Sequence, residues 1–274
     1  MNTGMIAASV TMGQLQKKLD TIGNNLSNLN TYGYKSREVQ FSDLLFQQVD
    51  NLPHQDQQRL TPDGIRVGYG AKAGETNLNL EPGSIKQTGR SLDIALRKPS
   101  QFFMIDTNNR DSPAFTRDGS FYLQPDAANP NVLNLVTKDG AFVSGANGHI
   151  QIPSDYKSIQ IKPSGQIDVT LRNGQHVASG RITLAHILRP QLLESIGHNR
   201  LAFPNLQALN LNRADVVQAV APEGADMKQG ALETSNVSLI QEMTQMLNVQ
   251  RAYELNARAV TISDESMKVV NNIR

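Results

Sequence analysis

The 274 residues carry 26 Lys and Arg against 25 Asp and Glu, a formal charge of +1, with 39% apolar residues, 5% aromatic residues, no Trp and no Cys. The charge balance speaks against nucleic-acid binding, which draws on a basic excess, and the missing Cys removes disulfides, thiolate metal sites and a Cys nucleophile. No apolar run reaches the length needed to cross a bilayer, and Met1–Ala8 lacks the basic leader and unbroken apolar stretch of a cleavable secretion signal.

The first element is the most strongly patterned. Met5, Ala8, Met12, Leu15, Leu19, Ile22, Leu26 and Leu29 recur in steps of three and four, the narrow stripe of a coiled-coil seam. This spacing predicts a helix ending near Thr31-Tyr32-Gly33, where Gly33 suits a left-handed C′ position. Residues 35–75 read as an extended connector, and Gln47 to Arg66 is rich in Gln, Asp and Pro.

Over residues 76–203 the period changes. Short β-type runs such as Phe102-Phe103-Met104-Ile105 and Gln166-Ile167-Asp168-Val169-Thr170-Leu171 alternate with turn dipeptides. The dipeptides Asp118-Gly119, Asp139-Gly140, Asn147-Gly148, Ser164-Gly165 and Asn173-Gly174 predict antiparallel hairpins. Residues 204–230, rich in Asn and Ala, read as a second connector. From Ser235, a good N-cap, Leu239, Met243, Met246, Gln250, Tyr253, Ala257, Val260, Asp264 and Met267 repeat the helical stepping, with no Pro or Gly from Ala231 onward. Gln250 and Asp264 are polar members of that stripe, of the kind that fix register and partner.

The expected fold is therefore α+β: a discontinuous pair of long terminal helices, coiled-coil-like, over 1–34 and 231–274, with an all-β domain inserted at 76–203. Two helices alone bury one seam each and are marginal, so they gain most by packing against copies of themselves. Met12, Leu15, Leu19, Ile22 and Leu26, with Leu239, Met243, Met246, Tyr253, Ala257 and Val260, are the expected polymerisation seam.

Little points to chemistry. Val67-Gly68-Tyr69-Gly70-Ala71-Lys72-Ala73-Gly74 is one residue off a dinucleotide fingerprint and lacks its strand-then-helix setting. His54, His149, His176, His186 and His198 show no ligand spacing. No cofactor, metal site, nucleic acid or small-molecule substrate is expected, and the protein does not read as an enzyme. The alternatives are an exported adhesin or binding module, whose β-rich middle would match but whose paired seams would not, and a cell-wall lytic enzyme using two carboxylates.

The same segments carry a resemblance. Ile22-Gly23-Asn24-Asn25-Leu26-Ser27-Asn28-Leu29-Asn30-Thr31-Tyr32-Gly33-Tyr34-Lys35 resembles the N-terminal signature of flagellar rod and hook proteins. Gly230-Ala231-Leu232-Glu233-Thr234-Ser235-Asn236-Val237 and Gln250-Arg251-Ala252-Tyr253-Glu254-Leu255-Asn256 are similar to their C-terminal signature. Gln87–Ala95 and Phe115-Thr116-Arg117-Asp118-Gly119-Ser120-Phe121 look like the family's β-region. The sequence departs from the pattern at Arg97-Lys98-Pro99-Ser100-Gln101, where relatives carry a Gly-rich turn.

The resemblance marks Asn24, Asn25, Asn28, Asn30, Thr31, Gly33, Tyr34, Asn236, Gln250 and Arg251 as signature residues. It implies a structural subunit of the bacterial flagellar axial structure, similar in length to distal-rod members. It also implies export by the flagellar type III apparatus without cleavage, residence in the basal body, and assembly with copies of itself and other axial proteins. Phe41 and Leu45 resemble a short export motif, though packing would account equally for that spacing.

Overall fold

The computed structural model describes residues 3–43, 46–49, 65–68, 71–106 and 113–272. Its contacts fall into two compact units: Met1–Ser27, Arg37–Asn77 and Ser238–Arg274 form one, and Asn28–Ser36 with Leu78–Val237 the other.

The first unit is built on two helices, α1 (Thr3–Ser27) and α2 (Leu239–Asn272), packed against each other. Two strand pairs accompany them, Arg37–Asp43 with Ala71–Leu78 and, antiparallel, Phe46–Val49 with Ile65–Gly68. The stretch read as an extended connector thus contains ladders, since Phe46 pairs with Gly68 and Val49 with Ile65. Helix α1 stops at Ser27, earlier than the glycine signal suggests. The backbone then turns twice, Thr31 N–H donating to Asn28 O and Tyr34 N–H to Thr31 O, with Gly33 at φ +66° inside the second turn. Helix α2 begins at Leu239. Ser238, whose carbonyl accepts the Glu242 N–H at 3.0 Å, holds the N-cap position expected of Ser235.

The second unit is β-rich and antiparallel. Its largest sheet runs through Gln151–Pro153, Val132–Thr137, Phe142–Gly145, Gln101–Asp106, Ala114–Thr116, Arg200–Ala202 and Glu194–Gly197. A three-stranded sheet, Tyr156–Ile161, Gln166–Leu171 and His176–Arg181, covers it. Ile159, Ile161, Ile167 and Val169 enter one core with Phe103, Phe121 and Leu135. Phe103 and Phe121 meet edge to face at 5.0 Å. A second cluster gathers Phe102, Phe115, Ala185, Ile187, Leu193 and Leu201. Turn glycines 140, 165 and 174 take positive φ as the dipeptide signals require. At the Arg97–Gln101 departure Ser100 adopts φ +60°, supplying without glycine the left-handed residue that the turn demands.

The 204–230 stretch is not a simple connector either. Val217–Ala219 adds to Leu184–Ile187, and Met227–Gln229 pairs with Ile94–Leu96. Strand Ala231–Glu233, expected to be helical, pairs with Ile85–Gln87 instead.

Candidate functional site

Two arrangements bear on function, one in each unit. In the helical unit, Asn25 is buried and bridges three segments. Its Nδ2 donates to Arg37 O and to Glu242 Oε1, both at 2.9 Å, while Oδ1 accepts the Arg37 N–H at 3.0 Å. Asn serves here because an amide donates and accepts at once. Glu242 is buried with Oε2 lacking a partner among the described residues. Burial pushes its pKa above the ordinary carboxyl value, against the Asn25 hydrogen bond and with help from Glu38.

Helix α2 presents two distinct sides. At about 100° per residue, Glu242, Val249 and Asn256 share one side; Val249 is buried, Asn256 half-buried, and this face lies toward the helix pair. On the opposite side Ile240, Leu247, Leu255, Ile262 and Val269 fall within an arc of about 80°, which they share with exposed Thr244, Arg251, Arg258 and Glu265. The five apolar residues are 80%, 55%, 65%, 62% and 58% exposed. The sequence-predicted stripe runs along the flank between these faces. Met246, Ala257 and Val260 are half-buried there, and Leu239, Met243, Tyr253 and Gln250 exposed; the signature residue Arg251 is exposed on the outer side. On α1, Ile22 is buried with Ala8, while Met12, Leu15, Leu19 and Leu26 are half-buried. The outer stripe of α2 escaped the sequence reading because its eight-residue step from Leu247 to Leu255 breaks a strict heptad.

In the β-rich unit, the two signature segments converge on Glu233. The carboxylate accepts Lys35 Nζ at 2.7 Å and Gly83 N–H at 2.9 Å on Oε1, and Arg117 Nε at 2.8 Å and Nη2 at 2.7 Å on Oε2. Arg117 spends its other N–H groups on the carbonyls of Lys98, Gln101 and Leu96. Lys35 also donates to Glu81 O at 2.6 Å. All three charged side chains are at most 3% exposed. With two cations for one carboxylate, burial wins over pairing at Lys35 and lowers its pKa.

The signature residues around this cluster have local duties. Gly33 donates its N–H to Glu233 O at 2.8 Å, and a Cβ there would sit 2.4 Å from the Arg117 carbonyl carbon. No side chain fits. Asn236 accepts Ser36 N–H at 2.7 Å and donates to Asn79 O and Glu81 O at 3.0 and 3.1 Å. Thr31 Oγ1 donates to Asn28 Oδ1, Tyr34 is buried, and Asn24 and Asn30 are exposed. Lys35, Arg117 and Glu233 lay inside the recognised motifs, yet nothing in their separation announced that they meet. Phe41 belongs to strand Arg37–Asp43; Leu45, and Tyr69-Gly70 of the glycine motif, lie outside the described residues.

These features accord with what the protein is similar to. Three family models match it: "Flagella basal body rod protein" over residues 3–35, "Flagellar hook protein FlgE/F/G D1 domain" over 100–169, and "Flagellar basal body rod FlgEFG protein C-terminal" over 228–273. A flagellar hook-basal body complex protein, FlhP of Bacillus subtilis (strain 168), is 38% identical over 100% of both chains. The flagellar basal-body rod protein FlgG of the same organism is 32% identical, and that of Agrobacterium fabrum 31%, each over 96% of both chains.

Proposed function

The chain belongs to the flagellar basal-body rod and hook protein family, and on that premise we propose that it is a structural axial subunit that assembles through the outer face of α2. The observation that carries the assembly surface is the stripe Ile240, Leu247, Leu255, Ile262 and Val269, opposite the face turned to α1 and left to solvent in the single subunit. Fully burying side chains of this kind is worth about 1.5–3 kcal/mol each. Repeated in every subunit, that supplies a strong drive to polymerise. Copies of this protein and other axial proteins are the partners, packed in a coiled-coil-like manner in which the flanking residues Leu239, Met243, Tyr253 and Ala257 also take part. The family reading further supports export by the flagellar type III apparatus without cleavage, with Phe41 and Leu45 as the candidate signal. It supports a basal-body location and a structural rather than enzymatic role.

The test uses a strain whose sole copy carries Leu255→Asp and Ile262→Asp. Both positions are exposed, so the purified variant should keep the parent's stability to within about 0.5 kcal/mol. It should nevertheless fail to enter basal bodies. Normal incorporation and motility would remove the α2 face from the account.

A further inference from the structure

The protein holds two Asn-Gly pairs, Asn147-Gly148 and Asn173-Gly174, both exposed at hairpin turns and both with the glycine at positive φ, +106° and +86°. The backbone is alike; the side chains are not. Asn173 is pinned. Its Oδ1 accepts the Gln175 N–H at 2.9 Å and its Nδ2 donates to Gln175 Oε1 at 3.1 Å, while Gly174 N–H donates to Leu171 O at 3.0 Å. Asn147 makes no side-chain hydrogen bond among the described residues, and its amide is open to water.

We propose that Asn147 is a self-modification site, converting through a cyclic imide to aspartate and isoaspartate, while Asn173 is protected by its own turn. The Gly148 backbone nitrogen attacks the amide carbon, Cγ, of Asn147. A new bond from nitrogen to Cγ forms, the bond from Cγ to Nδ2 breaks, and Nδ2 leaves as ammonia with the Gly148 amide proton. Water then opens the five-membered imide at either carbonyl, so the step needs no oxidant, reductant or enzyme. A glycine is the favourable follower because no Cβ obstructs the approach, and at Gly148 nothing lies within 4 Å of where a Cβ would stand. The free rotation of Asn147 lets its amide reach an attacking geometry that Asn173 reaches only by breaking its bonds to Gln175.

The consequence is local and lasting. The turn closes a short ladder in which Gly145 pairs with Gly148 and Ser144 with His149. His149 stacks on Phe142 at 4.6 Å and its Nε2 meets Asp106 Oδ2 at 3.0 Å. Isoaspartate inserts one extra backbone atom into that turn and adds a carboxylate beside the His149–Asp106 pair. A subunit held in a polymer would carry this mark for as long as it stays there.

The purified full-length protein is incubated at 37 °C and mildly alkaline pH, sampled over weeks, and mapped by peptide mass spectrometry with isoaspartate-specific methyl labelling. The imide intermediate and both products should accumulate at Asn147 about tenfold or more faster than at Asn173, the factor set by the two side-chain bonds that Asn173 must break. Asn147→Gln should abolish the signal there and leave Asn173 unchanged. Gln175→Ala, which removes a partner of the Asn173 amide, should raise the rate at Asn173 toward that of Asn147. Equal rates in the parent, a faster Asn173, or no reaction at Asn147 would each overturn the proposal.

Discussion

Glu233→Gln is the smallest change that exposes how the β-rich unit is held. The substitution keeps shape and volume but replaces two acceptor oxygens by one acceptor oxygen and one NH2 donor. The native carboxylate receives Lys35 and Gly83 on one oxygen and Arg117 Nε and Nη2 on the other. Whichever way the amide is turned, its NH2 confronts two donors, and both buried cations lose their counter-charge. Breaking a buried pair from one side costs about 3–5 kcal/mol. At about 2–4 °C per kcal/mol for a unit of this size, melting should fall by roughly 6–20 °C. Calorimetry of the purified protein is the assay, with Lys35→Met as the comparison. That variant removes the surplus cation, whose pKa burial already lowers, and leaves Glu233 matched by Arg117 and Gly83. It should stay within about 1 kcal/mol of the parent. A Glu233→Gln variant melting within about 2 °C of the parent would refute this account of the cluster.

Three further outcomes are expected. Gly33→Ala should destabilise the same unit by at least about 1–3 kcal/mol, because its φ is +66° and its Cβ would meet Arg117 backbone; thermal melting reads it. Glu242→Gln should stabilise the helical unit at neutral pH, since Gln keeps the acceptor for Asn25 without a buried charge. The folded-state pKa of Glu242 is raised, so its contribution is fully present below the ordinary value of 4.5 and is lost as pH rises through the folded value; the variant should flatten that slope in melts taken across pH. A fragment limited to residues 70–205 should not fold, although the sequence's change of period suggests a self-contained β-domain there. It lacks Met227–Gln229 to pair with Ile94–Leu96, and Glu233 to hold Arg117. A fragment of residues 28–237 should give a cooperative β-type transition by circular dichroism.

These cases show what was legible in the sequence. Both helices announced themselves by spacing, and Asp139-Gly140, Ser164-Gly165 and Asn173-Gly174 marked turns whose glycines take positive φ. Asp118-Gly119 looked the same but is different: Gly119 has no positive φ and instead lies against the Ile94 carbonyl, where a Cβ would come within 1.7 Å. Close approach between distant segments leaves no local signal. The orientation of α2 was hidden because its buried face carries Glu242 and Asn256 while its solvent face carries Ile240 and Leu255, so polarity does not mark inside from outside. The polar composition of residues 204–230 likewise masked strands whose partners lie far away in the sequence, Ile94–Leu96 and Leu184–Ile187. Resemblance brought Lys35, Arg117 and Glu233 into view as members of motifs; only the fold shows that the three share one buried site.

The central claim is that this protein is a subunit of the flagellar axis, and electron microscopy of basal bodies purified from cells expressing an epitope-tagged copy tests it most directly. The account predicts antibody decoration along the rod or the adjoining hook, and peptides of this protein recovered from the same particles. Basal bodies that are complete but contain neither would contradict it.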